Sequence, residues 1–179
     1  MNSEIIQKYR EGDHAAFNQI MLEYQQPIYF YILRMVGNPG DAEDLTQEAF
    51  VKVYTERQNF RGDSAINTWI YRIATNLTRN FLRWRSIRKF VTLDSTRDSL
   101  FDAADELQKE TREEREKVLL KHLQNISDKQ RSVFVLKYFN ELSHQEIARI
   151  LNISEGSSKT NFHYAVKSLK ALIQEDHHE

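Results

Sequence analysis

Apolar residues recur at spacings of three and four nearly throughout the chain, which predicts helices rather than strands. Asp13 is placed to cap a helix from His14 to about Val36, closed by Gly37 and the turn Asn38-Pro39-Gly40. Asp41 is expected to cap a second helix, to about Arg57. The segment Asn59 to Ser64 reads as a loop, and Ser64 or Asn67 as the cap of a long helix reaching about Lys89. In that helix Ile66, Ile70, Ile73, Leu77 and Phe81 form one stripe toward a core. Trp69, Arg72, Asn76, Arg79, Asn80 and Arg83 form another, roughly 130° away. Beyond Phe90 the periodicity degrades as far as Glu116 and then returns. Ser127 with Gln130, and Ser143 with Glu146, have the spacing of capping boxes, and Ser154 offers a third cap. Three short helices follow from these signals: Asp128 to Phe139, His144 to Leu151, and Glu155 to Ile173. Only Asn152-Ile153-Ser154 separates the last two, with Asn tolerated in the left-handed conformation. Ala148 permits close approach, and Ile147, Leu151, Ile153 and Phe162 fill the space between them. This favours a helix-turn-helix over a plain three-helix bundle. The expected fold is all-α: two small helical domains, 1–90 and 117–179, joined by a flexible acidic linker, 91–116.

Composition agrees with this reading. Five glycines and two prolines in 179 residues are too few for a protein of many tight turns. The absence of cysteine excludes a disulfide framework, a cysteine nucleophile and cysteine-ligated zinc. No apolar run approaches the roughly 18 residues of a membrane span, and the start, MNSEIIQKYREGD, lacks a signal peptide's apolar core. A cytoplasmic protein without membrane insertion is expected. The net charge of −1 conceals alternating blocks. Residues 1–55 hold four basic against eight acidic side chains and 56–90 eight against two; 91–116 hold four against nine, and 117–173 nine against four. Two basic modules point to polyanion contact at two places.

The candidate chemistry is recognition. An exposed face mixing Trp69 with Arg72, Asn76, Arg79, Asn80 and Arg83 suits nucleic acid: arginine neutralises phosphate, asparagine bonds base edges, and an aromatic ring stacks on an unpaired base. Phe60 and Arg61 in the preceding loop extend it. The alternative is Trp69 in the core with the arginines merely solvated. On the second helix of the helix-turn-helix, Ser157, Lys159, Thr160, Asn161, His163, Tyr164 and Lys167 are where a major groove is read. Asp41 and Glu43 are explained by the helix macrodipole, whereas Asp44, Gln47 and Glu48, near the exposed candidate Val51, suit a basic helical surface on another protein. Glu11 and His14 make a single Glu-x-x-His spacing, short of a di-iron set, and no phosphate loop, dinucleotide fingerprint or nucleophile elbow occurs. No cofactor, metal or catalytic residue is expected.

The stretches DAEDLTQEAFVKVY (Asp41 to Tyr54) and FRGDSAINTWIYRIATNLTRNFLRWR (Phe60 to Arg85) closely resemble region two of the extracytoplasmic-function sigma factors of the sigma-70 family. The stretch from Arg131 to Ile173 resembles their region four. The resemblance implies a factor that directs RNA polymerase to promoters rather than an enzyme. It implies that Asp44, Leu45, Gln47, Glu48 and Phe50 dock on the clamp helices of the beta-prime subunit. It further implies that the helix from Asn67 to Arg83 with its loop opens and reads the minus-ten element as single strand, and that Ser157 to Lys167 read the minus-thirty-five duplex. A contact to the beta flap, a linker passing through the polymerase, and restraint by an anti-sigma factor are also implied. The chain departs from the family at Ile126-Ser127, where Leu-Pro is usual. It departs again at Ser158, where an apolar packing residue is usual, and at Asn161, where a cation is. A free-standing repressor and a helical metalloenzyme are the competing classes.

Overall fold

The computed structural model describes residues 2–62, 64–91 and 112–176, with side chains described for all of these except 89–91 and 112–116. Among the described residues the structure is helical: α1 Ser3–Glu11, α2 His14–Val36, α3 Pro39–Thr55, α4 Ile66–Val91, α5 Arg112–Leu123, α6 Asp128–Tyr138, α7 His144–Leu151 and α8 Glu155–Asp176, with a 3-10 turn at Arg57–Asn59. Most of the acidic stretch 91–116 lies outside the described residues. Its two ends are helical, since Val91 closes α4 and α5 opens at Arg112, earlier than the boundary expected at 117.

Local chemistry sets the boundaries. Asp13 accepts from the backbone N–H of Ala16 at 2.9 Å and starts α2, and Gly37, at φ +75°, ends it in the left-handed conformation. The cap of α3 is Asn38 and not Asp41: its Oδ1 accepts from the Asp41 N–H at 3.0 Å, and Pro39 then occupies the first helical position, where a missing N–H costs nothing. Asn67 does not cap α4 either, because the helix has begun at Ile66 and the Asn67 side chain accepts from the N–H of Thr68. The helix α1, capped by Asn2, was not expected. Its buried Tyr9 donates to the carbonyl of Val53 and fixes α1 on the end of α3.

Helices α1–α4 enclose a core of Tyr9, Ile20, Ile28, Tyr31, Ile32, Met35, Val53 and Ile70, all fully buried. In the second module α6 packs on α8 and α7 on α8, with Leu136, Ile147, Ile150 and Leu169 inside. Ser143 and Glu146 complete the capping box of α7, and Asn152, at φ +53°, turns the chain into α8. The helix α5 packs on α8 and is tied to its end by Lys121 and His122, both bonded to the Asp176 carboxylate at 2.9 and 2.8 Å.

The modules are packed together, and the buried apolar residues form one continuous cluster across both. The junction is built on the C-terminus of α2, whose last carbonyls have no partners within the helix. Three successive oxygens there are capped by three different elements. Arg34 O accepts from Gln124 Nε2 at 2.9 Å, Met35 O from Arg131, and Val36 O from Arg85 of α4 at 2.9 Å. A cation at a helix C-terminus also meets the negative end of the macrodipole. Gln124 lies directly over Gly37, where a Cβ would stand 3.1 Å from its amide carbon. Farther along the seam Asn140 Nδ2 donates to the Tyr71 hydroxyl at 2.7 Å, and the Arg34 guanidinium lies 4.0 Å from the centroid of the Phe139 ring.

Candidate nucleic-acid interface

On α4 the polar stripe is real but shorter than its pattern suggested. Arg72, Asn76, Arg79, Asn80 and Arg83 are exposed, with Arg83 donating to Asn80 at 3.1 Å, while Ile66, Ile70 and Ile73 are buried and Leu77 and Phe81 half-buried. Trp69 is 4% exposed, its ring 5.4 Å from Phe60, itself 3% exposed, and 6.3 Å from Tyr9. The two aromatics expected to face a strand are therefore core residues that pin the loop and α1 to α4. Azimuth alone does not separate Trp69 from Asn76, which lie two turns apart on almost the same side at about 100° per residue. Position along the axis does, because α1 and the loop cover only the first turns of α4. Arg61 remains exposed, and Asn67 is half-buried.

The expected docking set on α3 divides in the same way. Asp44, Gln47, Glu48 and Val51, at i, i+3, i+4 and i+7, form one exposed strip. Leu45 and Phe50 are 7% and 6% exposed and belong to the core, so they support that strip without presenting a surface of their own.

The second helix of the helix-turn-helix, α8, presents Lys159, Thr160, His163, Tyr164 and Lys167 to solvent, with Ser157 half-buried. Lys159 pairs with Glu155 at 2.7 Å, which holds that carboxyl below its usual range. The two departures noted within α8, Ser158 and Asn161, both find partners inside the fold. Ser158 is fully buried and shares a 2.9 Å hydrogen bond with His144 Nδ1, joining α7 to α8 through a polar contact. Burial, then the charges of Lys137 and Lys159, hold His144 below the usual imidazole range. Asn161 turns back on its own helix and donates to Ser157 O at 2.7 Å.

The two candidate faces are not independent, because α7 packs on α4. Between them lies a cleft of about 650 Å³ walled by Arg72, Asn76 and Arg79 on one side and by Lys129, Arg149 and Asn152 on the other. The helix-turn-helix thus stands in front of the polar face of α4. Sequence reasoning missed Lys129, Arg149 and the seam residues Gln124 and Arg131. Arg131 carried a signal, since it opens the apolar run Val133 to Leu136 and is 5% exposed. Among the described residues no helix is long and apolar enough to cross a membrane.

Comparison with known proteins matches residues 20–88 to Sigma-70 region 2 and residues 117–169 to Sigma-70 region 4. The chain is 33% identical to the ECF RNA polymerase sigma factor SigW of Bacillus subtilis, over 95% of each chain. It is 30% identical to the RNA polymerase sigma-H factor of Pseudomonas aeruginosa, over 97% of this chain and 94% of that one. The fold is similar to that of the sigma factor RpoE from Bartonella quintana, solved with the anti-sigma factor NepR, with TM-score 0.74, 21% identity, and 88% of this chain and 96% of that one covered. It is also similar to CnrH, solved with the cytosolic domain of CnrY, with TM-score 0.73, 20% identity and 96% of each chain covered.

Proposed function

Since the chain belongs to the extracytoplasmic-function subfamily of the sigma-70 family and is an alternative RNA polymerase sigma factor, we propose that its exposed surfaces divide the work of initiation among three helices. The strip Asp44, Gln47, Glu48 and Val51 docks on the beta-prime clamp helices of core polymerase. The α4 face Arg72, Asn76, Arg79, Asn80 and Arg83, with Arg61, reads the opened minus-ten element. The α8 face Lys159, Thr160, His163, Tyr164 and Lys167 reads the minus-thirty-five duplex, with the second module also against the beta flap. An anti-sigma factor is the expected regulatory partner, as for the structurally similar sigma factor RpoE, solved with the anti-sigma factor NepR.

The observation that carries this reading is the chemistry of the α4 face. It is a row of guanidinium and carboxamide groups, with Trp69 and Phe60 withdrawn into the core. Phosphate neutralisation and base-edge hydrogen bonding are what such a row offers a strand. The present arrangement also has a mechanical consequence. Elements centred about 25 base pairs apart lie roughly 85 Å apart along duplex DNA at about 3.4 Å per step. In this structure α4 and α7 wall one cleft. The modules must part before both elements are engaged, so this is a closed form of the factor.

The test uses core polymerase with a promoter in duplex and in pre-melted form. Arg72→Ala and Asn80→Ala should abolish permanganate reactivity of unpaired thymines on the duplex and be rescued by the pre-melted template. Lys167→Ala should weaken the initial complex and not be rescued. Identical behaviour of the two classes would refute the division of labour.

A further inference from the structure

We propose that the cleft between α4 and the helix-turn-helix is a binding site for a small polyphosphate, which holds the factor closed. Arg72 and Arg79 enter it from α4, Lys129 from α6 and Arg149 from α7. None of these four side chains makes a hydrogen bond or ion pair with another described residue. Elsewhere Lys8, Lys52, Arg85, Lys121, Arg131 and Lys159 have carboxylate partners, and Arg57, Arg83 and Lys137 donate hydrogen bonds. No described carboxylate lines the cleft. The charge of Arg149 is felt by Glu146, but that carboxylate is committed to the capping box with Ser143. A second recess, of about 420 Å³, continues the seam past Arg61 and shares Arg72 and Arg149 with the first. Closing the modules therefore gathers cations with unspent donors, and like charges brought together oppose the closure that the seam bonds favour.

A multiply charged anion removes that conflict. The cleft is within the size range of small-ligand sites, about 300–1,000 Å³, and its fork-shaped and point-like donors suit neighbouring phosphoryl groups. Asn76 and Asn152 add carboxamide groups. The neighbouring aromatics Phe60 and Trp69 are buried, so the wall offers no free ring for a base to stack on. Recognition falls on the phosphate chain. Because the walls come from both modules, the ligand binds the closed form and not the open one, and stabilises closure in proportion to its concentration over its dissociation constant. The binding itself is independent of the function proposed above, whereas its effect on polymerase rests on that reading.

The experiment is calorimetric titration of the full chain with inorganic tripolyphosphate at fixed ionic strength, with orthophosphate and a nucleoside triphosphate as comparisons. Saturable one-to-one binding is expected with tripolyphosphate and the nucleoside triphosphate alike, and none with orthophosphate. Lys129→Gln and Arg149→Gln should each weaken it roughly tenfold, the worth of one charge-assisted hydrogen bond. Gln124→Ala, which removes no charge and shifts a predominantly closed population only slightly in its closed fraction, should bind within about 1.5-fold of the parent. Lys170→Gln and Arg10→Gln, at exposed cations outside the cleft, should bind as the parent does. Equal losses at all four cations would show diffuse attraction and overturn the site, as would unchanged binding in the cleft variants. A strong preference for the nucleoside triphosphate would overturn recognition of the chain alone. If tripolyphosphate binds as described but leaves affinity for core polymerase unaltered, the site stands and the requirement for opening falls.

Discussion

Replacing Gln124 by alanine should make this factor bind core polymerase more tightly. When the modules part, the bond from Arg131 to Gln124 stays within the second module, so of the two bonds made by the Gln124 side chain the one from its Nε2 to Arg34 O is broken. A neutral hydrogen bond contributes about 0.5–1.5 kcal/mol net, and the half-buried position allows water to replace it on opening, so about 1 kcal/mol is assigned to closure. That is a factor of about five in the ratio of open to closed molecules. If the closed form predominates and the open form binds, apparent affinity is the intrinsic affinity reduced by the open fraction, so the whole factor passes into the measurement. Competition against a labelled sigma factor for core enzyme should show Gln124→Ala binding about fivefold tighter, with a melting temperature lower by no more than roughly 4 °C. Gln124→Glu sets a carboxylate against the Arg34 carbonyl oxygen and should show a larger gain. Unchanged or weaker binding by both variants would refute the inference that closure competes with docking.

Three further outcomes follow from burial and titration. Glu48→Lys should weaken core-polymerase binding with little change in stability, whereas Phe50→Ala should destabilise by about 3–5 kcal/mol in urea unfolding, because Glu48 is exposed and Phe50 is core. Trp69→Ala should likewise lower stability by about 3–5 kcal/mol, while Arg72→Ala should leave unfolding nearly unchanged and fail only in promoter opening. For His144, the folded-state value lies below the unfolded one, so as pH falls through about 6.5 the unfolded chain takes up the proton first. Stability should be flat above that pH and decline below it, toward the lower folded value. Urea midpoints for the parent and His144→Gln at several pH values should show that decline flattened in the variant.

How much of this was legible depends on what each feature needed. The helices beginning at His14, Asp128, His144 and Glu155 were readable because their caps are local: Asp13, Ser127, Ser143 and Ser154 each bond N–H groups within three residues. The cap of α3 was misplaced because Asn38-Pro39-Gly40 reads as a turn, whereas Asn38 with Pro39 also opens a helix. The α4 face was half legible. Periodicity gives azimuth, and Trp69 is buried by residues 9 and 60, which no helical wheel contains. Leu45 and Phe50 came from the family resemblance, which gives position without exposure. The seam left almost no local trace. Gln124 and Arg131 spend their bonds on carbonyls 90 and 96 residues away, and a backbone acceptor has no sequence identity to match.

Those separations also order events in time. The last turn of α2 leaves the ribosome long before Gln124 and Arg131 do, and at about 5–20 residues per second the interval is on the order of 5–20 s. Until then water holds the Arg34 and Met35 carbonyls. Once α4 has followed, its polar row faces solvent with no helix-turn-helix before it until α7 and α8 emerge in turn. A newborn chain therefore passes through an uncovered stage that the finished molecule regains only by breaking its seam.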